Sequence, residues 1–210
     1  EDGIRDVERS RGLGDVYKRQ VLIMDISSIM DETGAVLKGH FQLTSGRHSD
    51  IYLEKFRLLE RPEIVEEVGK QMAKAVNGVD VDVVLGAAIG GILISSATAN
   101  AFGKKGIFAE RVDGELKLRR GFELARCEQV LVVEDIVTTG GSVRELLDIV
   151  EACGADPAAV VCLTDRTADG IDFGCPTKAL VRFPAVSWDP EACPLCAQNE
   201  PLTLRGRTGK

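Results

Sequence analysis

The sequence predicts an α/β fold with a central, mainly parallel sheet flanked by helices. From Met24 onward, short apolar runs alternate with stretches of helical periodicity, a pattern that packs as a parallel sheet covered on both faces. The segment Val130-Leu-Val-Val-Glu-Asp-Ile-Val-Thr-Thr-Gly-Gly-Ser142 then runs from a continuous apolar strand through two acids and a glycine turn into a helix. Such a junction lies at the carboxyl end of a strand, where open α/β sheets bind ligands. A chain of 210 residues, 44% hydrophobic and 28% charged, suits a single soluble domain with an ordinary core.

The elements follow in order. Asp25 to Leu37 reads as a short amphipathic helix ended near Gly39, and Phe41 to Leu53 as two extended pieces around a Ser45-Gly46 turn. Pro62 opens a helix running to about Val76, with Ile64, Val65, Val68 and Met72 on one face and Asn77-Gly78 as its stop. Val81 to Leu85 is a short strand, Gly86 to Gly91 a turn, and Ile92 to Phe102 a helix of small residues closed by Gly103. Gly106 to Glu110 is a strand, and Val112-Asp-Gly-Glu115 a hairpin tip, because Asp-Gly suits a type I′ turn. Val130 to Val133 forms the next strand. A helix begins at Ser142, with Glu145 placed for a capping box, apolar residues at 143, 146, 147 and 150, and Gly154 as its end. Ala159 to Leu163 and Lys178 to Val181 complete the strands.

Residues 1–20 differ from the rest: acids and bases alternate densely and no methionine occurs. They read as an expression or assembly leftover, so residues 1–23 are set apart as a leader and 24–210 as the single domain. No apolar core of a secretory signal is present there, and a cytoplasmic protein is expected. No run approaches the ~18 apolar residues of a membrane span. The net charge of −7 argues against a nucleic-acid or anionic-membrane partner. Any phosphate site must therefore be a local positive feature.

Six cysteines are present. Cys127, Cys153 and Cys162 stand singly, the last two within apolar runs where cysteine acts as a small hydrophobe. Cys193-Pro-Leu-Cys196 has metal-ligand spacing, with Cys175 a candidate neighbour. A tetrahedral site needs a second pair of ligands, and reduced structural thiols are the favoured reading, so no protein metal ligand is assigned. His40 and His48 read as structural hydrogen-bonding residues, and Phe183 and Trp188 as packing residues.

The chemistry concentrates at residues 134–142. Glu134 and Asp135 stand where the strand is expected to leave the sheet, free to stay hydrated or to grip hydroxyls. Thr138, Thr139, Gly140, Gly141 and Ser142 can curl with successive N–H groups inward, and the helix N-terminus adds about half a positive charge. A phosphate is served there without a lysine. Cap chemistry alone accounts for Ser142. Two adjacent acids beside an anion site make sense if they hold ribose hydroxyls or a metal-bound ligand. The spacing is neither a Walker A loop nor a dinucleotide fingerprint.

Strand, Glu-Asp, two variable residues and Thr-Thr-Gly-Gly-Ser resembles the phosphoribosyl-pyrophosphate (PRPP) motif of type I phosphoribosyltransferases, most closely the orotate phosphoribosyltransferase branch. Gly39-His-Phe-Gln-Leu-Thr-Ser-Gly-Arg-His-Ser-Asp-Ile-Tyr52 is similar to the segment those enzymes fold over the pyrimidine. Leu163-Thr-Asp-Arg-Thr167 is similar to their later strand end, and the Cys193 to Pro201 tail to a bacterial and archaeal subgroup. The resemblance spans Met24 to Pro201. It implies a type I phosphoribosyltransferase fold with a small N-terminal hood and a flexible lid loop. It also implies transfer of ribose 5-phosphate from PRPP to orotate, giving orotidine 5′-monophosphate and pyrophosphate in pyrimidine biosynthesis.

On that resemblance, Glu134 and Asp135 hold the ribose hydroxyls, while Ile136, Val137 and Thr138 to Ser142 enclose the 5′-phosphate. Thr138 and Arg166 meet orotate, the latter by a bidentate fork to its carboxylate. Gly86 to Gly91 is the pyrophosphate loop. Mg2+, held largely by PRPP oxygens and water, neutralises the leaving group. The basic stretch Arg111 to Arg126 is the lid, shared across a homodimer, with Arg111 as the first pyrophosphate contact and Lys117 and Arg120 behind it; Asp135, Lys117 and Arg120 are the catalytic candidates. The chain departs from the best-known branch at Thr44, where a lysine is usual, and at Ile89-Gly90, in place of Tyr-Lys. Its lid also lacks a Lys-Asp-His pattern. Alternatives are a phosphoribosyltransferase for another base, or a PRPP-sensing regulator of the same fold.

Overall fold

A computed structural model describes residues 25–205 apart from 44 and 185, so the 1–23 leader and the Thr44 departure lie outside the described residues. Asp25 caps the first helix, accepting the Ser27 and Ser28 N–H groups at 3.3 Å, but that helix, α1 (Ile26–Glu32), ends well before Leu37. Gly34 adopts φ +63°, a left-handed stop, and Val36 to Gln42 is strand β1, not helix. β2 (His48–Leu53) returns antiparallel to β1, and α2 (Phe56–Leu59) and α3 (Pro62–Ala75) follow. The expected helix from Pro62 is α3, with Ile64, Val68 and Met72 buried.

The remaining elements build the main sheet. β3 (Val83–Ala87) lies two residues later than expected and runs into α4 (Gly90–Phe102). β4 (Lys105–Val112) and β5 (Glu115–Leu118) form the antiparallel hairpin, with Asp113 and Gly114 both at positive φ as a type I′ turn requires. β6 (Gln129–Val137), α5 (Gly141–Ala152), β7 (Asp156–Asp165) and β8 (Thr177–Arg182) complete it. The order is β5-β4-β3-β6-β7-β8, and every pairing except β4–β5 is parallel. The tail adds a 3-10 turn (Pro190–Ala192), α6 (Pro194–Ala197) and β9 (Leu202–Leu204); β9 joins β1 and β2 in a second sheet ordered β2-β1-β9.

Alternation along β6 serves both faces. Leu131 and Val133 join one apolar cluster with Ile64, Val68 and Ile94, while Val130 and Val132 join another with Ile107, Leu146 and Val150. These side chains are essentially inaccessible, and each contributes about 1.5–3 kcal/mol by leaving water. β6 is therefore firmly held on both faces, and Glu134 and Asp135 lie toward its end.

Candidate active site

β6 continues through both acids to Val137, so Glu134 and Asp135 lie inside the sheet at 6% and 3% exposure rather than hydrated at its exit. Burial, then the charge of Asp135, pushes the Glu134 carboxyl up to about 8. One Glu134 oxygen accepts the Asp135 N–H at 3.0 Å. Asp135 instead meets a cation: Lys55 Nζ, just before α2, stands 2.5 Å from its Oδ2. Gly90 makes room for this arrangement, because a Cβ there would fall 3.0 Å from Asp135 Cγ and closer still to its Oδ2. Gly86 and Gly91 also serve packing, since a Cβ on Gly86 would be 2.5 Å from the Gly91 carbonyl oxygen. The predicted Gly86–Gly91 turn is thus a strand end in close contact with a helix start, with Ile89 projecting 73% exposed.

After Val137 the chain turns through Thr138 and Thr139, both exposed, to Gly140 at φ +77°. A side chain at Gly140 would collide with Ile171 and Phe173 at 2.9 Å, so conformation and space both demand glycine. The expected capping box does not form: α5 starts at Gly141 with Gly140 as its cap and no side-chain cap bond. Glu145 instead accepts Arg111 at 2.9 and 3.1 Å and the Leu116 N–H at 3.0 Å, tying the β4–β5 hairpin to α5. The first N–H groups of α5 are left uncapped by side chains, a concave surface lined by Glu134, Ile136, Val137 and Thr138 to Val143. That is the geometry of an anion site.

Arg166 emerges just past β7. Its backbone N–H bonds the Val137 carbonyl at 2.8 Å, next to the cradle. Asp165 shapes the turn by accepting the Thr167 N–H and hydroxyl at 2.8 and 2.6 Å. The Arg166 side chain is 8% exposed, and its Nε and Nη2 have no hydrogen-bond partner among the described residues. Desolvation pulls its basicity down, opposed by the nearby Asp50 and Tyr52 of β2. An unpaired buried guanidinium costs more than a satisfied one by about 1–3 kcal/mol or above, and a planar carboxylate answers both free N–H groups.

The other predicted cations are engaged in the hairpin's own ion pairs: Lys117 with Glu115 at 3.0 Å, and Arg120 with Glu110 at 2.9 Å. Arg111 also donates to the Gly114 carbonyl. None of the three lines the cradle. Sequence reasoning missed Lys55, whose partner lies far along the chain with no local motif to announce it, and assigned Glu145 to the wrong contact. Cys162 is a buried thiol pushed up to about 12 by desolvation, then by Asp165, as an inert apolar-run cysteine should be. Cys175 packs against the second apolar cluster rather than beside Cys193.

The strand-to-helix cradle and its buried acids lie within residues 57–172, which match the family described as Phosphoribosyl transferase domain. The orotate phosphoribosyltransferase of Thermotoga maritima is 42% identical over 184 residues, covering 88% of this chain and 98% of that protein. The chain belongs to the orotate phosphoribosyltransferase family, pentosyl-transferring enzymes of pyrimidine biosynthesis. In fold it is similar to the orotate phosphoribosyltransferase of Aeropyrum pernix (TM-score 0.65, 22% identity, 75% of this chain and 93% of that one). It is also similar in fold to an adenine phosphoribosyltransferase from Thermoanaerobacter pseudethanolicus (TM-score 0.57, 19% identity, 63% and 88%). The fold is thus shared by enzymes named for different bases, and the base must be read from the site.

Proposed function

We propose that this site transfers ribose 5-phosphate from PRPP to orotate, and that Arg166 selects the base. The observation that carries the reading is the buried Arg166 guanidinium beside the cradle, whose Nε and Nη2 have no hydrogen-bond partner among the described residues. Orotate has a carboxylate to offer it; adenine and hypoxanthine do not. The 5′-phosphate rests on the uncapped N–H groups of Gly141 to Val143 and on Thr138, Thr139 and Ser142. The Glu134 carboxyl, which burial and the charge of Asp135 push up to about 8, is placed to donate to a ribose hydroxyl, and Asp135 to accept from one.

As the C1–oxygen bond to pyrophosphate breaks, a C1–nitrogen bond to orotate forms, and the base loses its N–H proton to solvent. Positive charge grows on the ribose and negative charge on the leaving group, so the protein acts mainly through fixed charges and exclusion of water. Asp135 faces the growing positive charge. Lys55, already at Asp135, is the candidate cation for the leaving group; Arg111, Lys117 and Arg120 of the hairpin would have to leave their ion pairs to join it. Mg2+ would be held mainly by substrate oxygens and water, since Asp135 is already paired with Lys55 and burial favours the neutral form of Glu134. It supplies neutralisation of the pyrophosphate charge.

A homodimer is supported by apolar residues left in the open, Ile89 and Leu93 four apart at the start of α4, together with Phe56 of α2. A reducing compartment such as the cytoplasm is supported by six free cysteines, and no helix among the described residues is long and apolar enough to cross a membrane. The test is orotate absorbance followed with and without PRPP and Mg2+, beside uracil, hypoxanthine and adenine. Turnover of orotate alone is expected; equal turnover of a base lacking a carboxylate refutes the role of Arg166.

A further inference from the structure

We propose that His40, His48, Cys193 and Cys196 form a tetrahedral zinc site that clasps the tail of the chain onto the β1–β2 hood. The four residues come from two distant stretches, yet their ligand atoms all lie within 4.8 Å of one another. His40 Nε2 is 2.9 Å from His48 Nδ1 and 3.5 Å from Cys193 Sγ. Cys196 Sγ is 3.7 Å from His40 Nε2 and 3.3 Å from His48 Nδ1. With Zn–N near 2.0–2.1 Å and Zn–S near 2.3 Å, a tetrahedron has N–N and N–S edges of about 3.4 and about 3.6 Å. The N–S edges of 3.3–3.7 Å lie close to that value, while the 2.9 Å N–N edge must open by about 0.5 Å and the widest separation, 4.8 Å, must close for one ion to sit at the centre.

Three features make this more than proximity. His40 Nδ1 lies 2.9 Å from the Glu200 carbonyl oxygen. That contact calls for a proton on Nδ1, which leaves the Nε2 lone pair facing the cluster, the usual outer-shell arrangement of a zinc-bound imidazole. Secondly, both imidazoles and Cys193 are buried while Cys196 lies at the surface, so without a cation the two imidazoles and the Cys193 thiol would share a small interior volume with little but each other and Cys196 to bond. The ligand set is also selective: two thiolates and two imidazoles in a tetrahedron suit zinc and disfavour magnesium or calcium. Cys193-Pro-Leu-Cys196 supplies one pair and the β1 and β2 imidazoles the other, so the second pair absent from the local sequence is contributed by the hood.

The surroundings give the clasp a task. The tail already follows the hood: His48 and Trp188 exchange backbone hydrogen bonds at 2.8 Å, Ser49 Oγ donates to the Val186 carbonyl at 2.8 Å, and Arg47 pairs with Asp189 at 2.5 Å. β9 extends β1 through His40↔Leu202. These contacts are mostly polar and near solvent, and a metal would fix them in one register.

The test uses the full chain, expressed with zinc supplied and purified without chelator. Elemental analysis should find about one zinc per chain, falling at least tenfold in the Cys193→Ser/Cys196→Ser double variant and unchanged in Cys127→Ser, which alters an exposed thiol outside the cluster. Should the double variant fail to fold, wild-type protein stripped and reloaded with Co2+ gives an independent reading: the visible bands of tetrahedral cobalt with thiolate charge transfer. Sub-stoichiometric zinc together with no cobalt spectrum in reduced protein overturns the proposal. So does zinc retained by the double variant, or a Cys193–Cys196 disulfide whose reduction brings no metal uptake. None of these readouts depends on the transferase reaction.

Discussion

Replacing Gly90 with alanine separates the function of Asp135 from the stability of the fold. The new Cβ would stand 3.0 Å from Asp135 Cγ and nearer to Oδ2, whereas carbon atoms prefer about 3.5–4.0 Å. The nearest obstruction is the end of a side chain rather than backbone, so the carboxylate, not α4, gives way, by about 0.5–1 Å or more. That movement breaks the 2.5 Å contact with Lys55 and, on the role proposed for Asp135, takes it off the ribose. Misplacing a catalytic group by ~1 Å costs about a hundredfold in rate, or about 2.7 kcal/mol of transition-state stabilisation. Stability should change little, because overpacking of about 1–3 kcal/mol is partly offset by up to about 1 kcal/mol for alanine over glycine in a helix. Steady-state kcat/KM for PRPP, from orotate absorbance, should fall about a hundredfold, while Tm moves by a few degrees. Gly69→Ala is the control: its Cβ would meet the Ala97 backbone at 2.5 and 2.6 Å between α3 and α4, so Tm should drop while kcat/KM of the folded fraction stays near wild type. Wild-type kinetics in Gly90→Ala would refute the crowding argument, and equal kinetic losses in both variants would show that the effect is general loosening.

Other outcomes follow from the same geometry. Arg166→Met should raise the KM for orotate by two orders of magnitude or more, leave that for PRPP within a fewfold, and hold or raise Tm, since an unpartnered buried charge is removed; a matched rise in both KM values would contradict the carboxylate contact. Arg166→Lys should not rescue it, because an ammonium cannot make the planar fork. For Glu134, whose folded value of about 8 lies above its ordinary 4.5, the native state holds a proton that the unfolded state releases, so its contribution to stability falls as pH rises from 4.5 to 8. The Tm advantage of Glu134→Gln over wild type should therefore widen from pH 5 to pH 8, and a constant gap would mean that the carboxyl is ionised in the fold. Gly140→Ala should cost about 2–4 kcal/mol in a denaturant melt, combining a left-handed residue with overpacking, and weaken PRPP binding; an unchanged melt would place the cradle differently.

The cradle was legible in the sequence because its determinants are local. An apolar strand, a left-handed glycine and a helical period all act within about ten residues, and the chain around Val130 to Val150 follows them. Where the reading failed, a distant partner decided. Glu145 sits three residues after Ser142, as a capping box requires, but Arg111 and the Leu116 N–H take its carboxylate. Asp135 was expected at a hydrated strand end, and only the packing of α4 against β6, with Gly90 beside the carboxyl, and the approach of Lys55 enclose it. The first helix was drawn too long because Val36 and Leu37 fit a helical period, while Gly34 stops the helix and pairing with β2 claims them as strand. His40 and His48 gave no ligand signal eight residues apart on separate strands, since their meeting with Cys193 and Cys196 depends on the tail folding back.

The two halves of the substrate site rest on supports of different strength. The ribose and phosphate side is set by β6, buried on both faces between apolar clusters, so its geometry should persist as long as the domain is folded. The base side joins Arg166, at the end of β7, to Asp50 and Tyr52 of β2. β2 belongs to the small β2-β1-β9 sheet, which both ends of the described chain build; Leu53 and Ile51 join it to the main core, while its tail edge is held by polar contacts. Local opening is cheaper where few apolar contacts must be broken. Mild destabilisation should therefore loosen the orotate side before the PRPP side, and damage to the tail should appear first as a higher KM for orotate. PRPP would then meet a formed cradle, whereas orotate must help to order the hood that encloses it. On the proposed role of Arg166, orotate has the means, because its carboxylate would offset the cost of the two buried N–H groups that lack a partner.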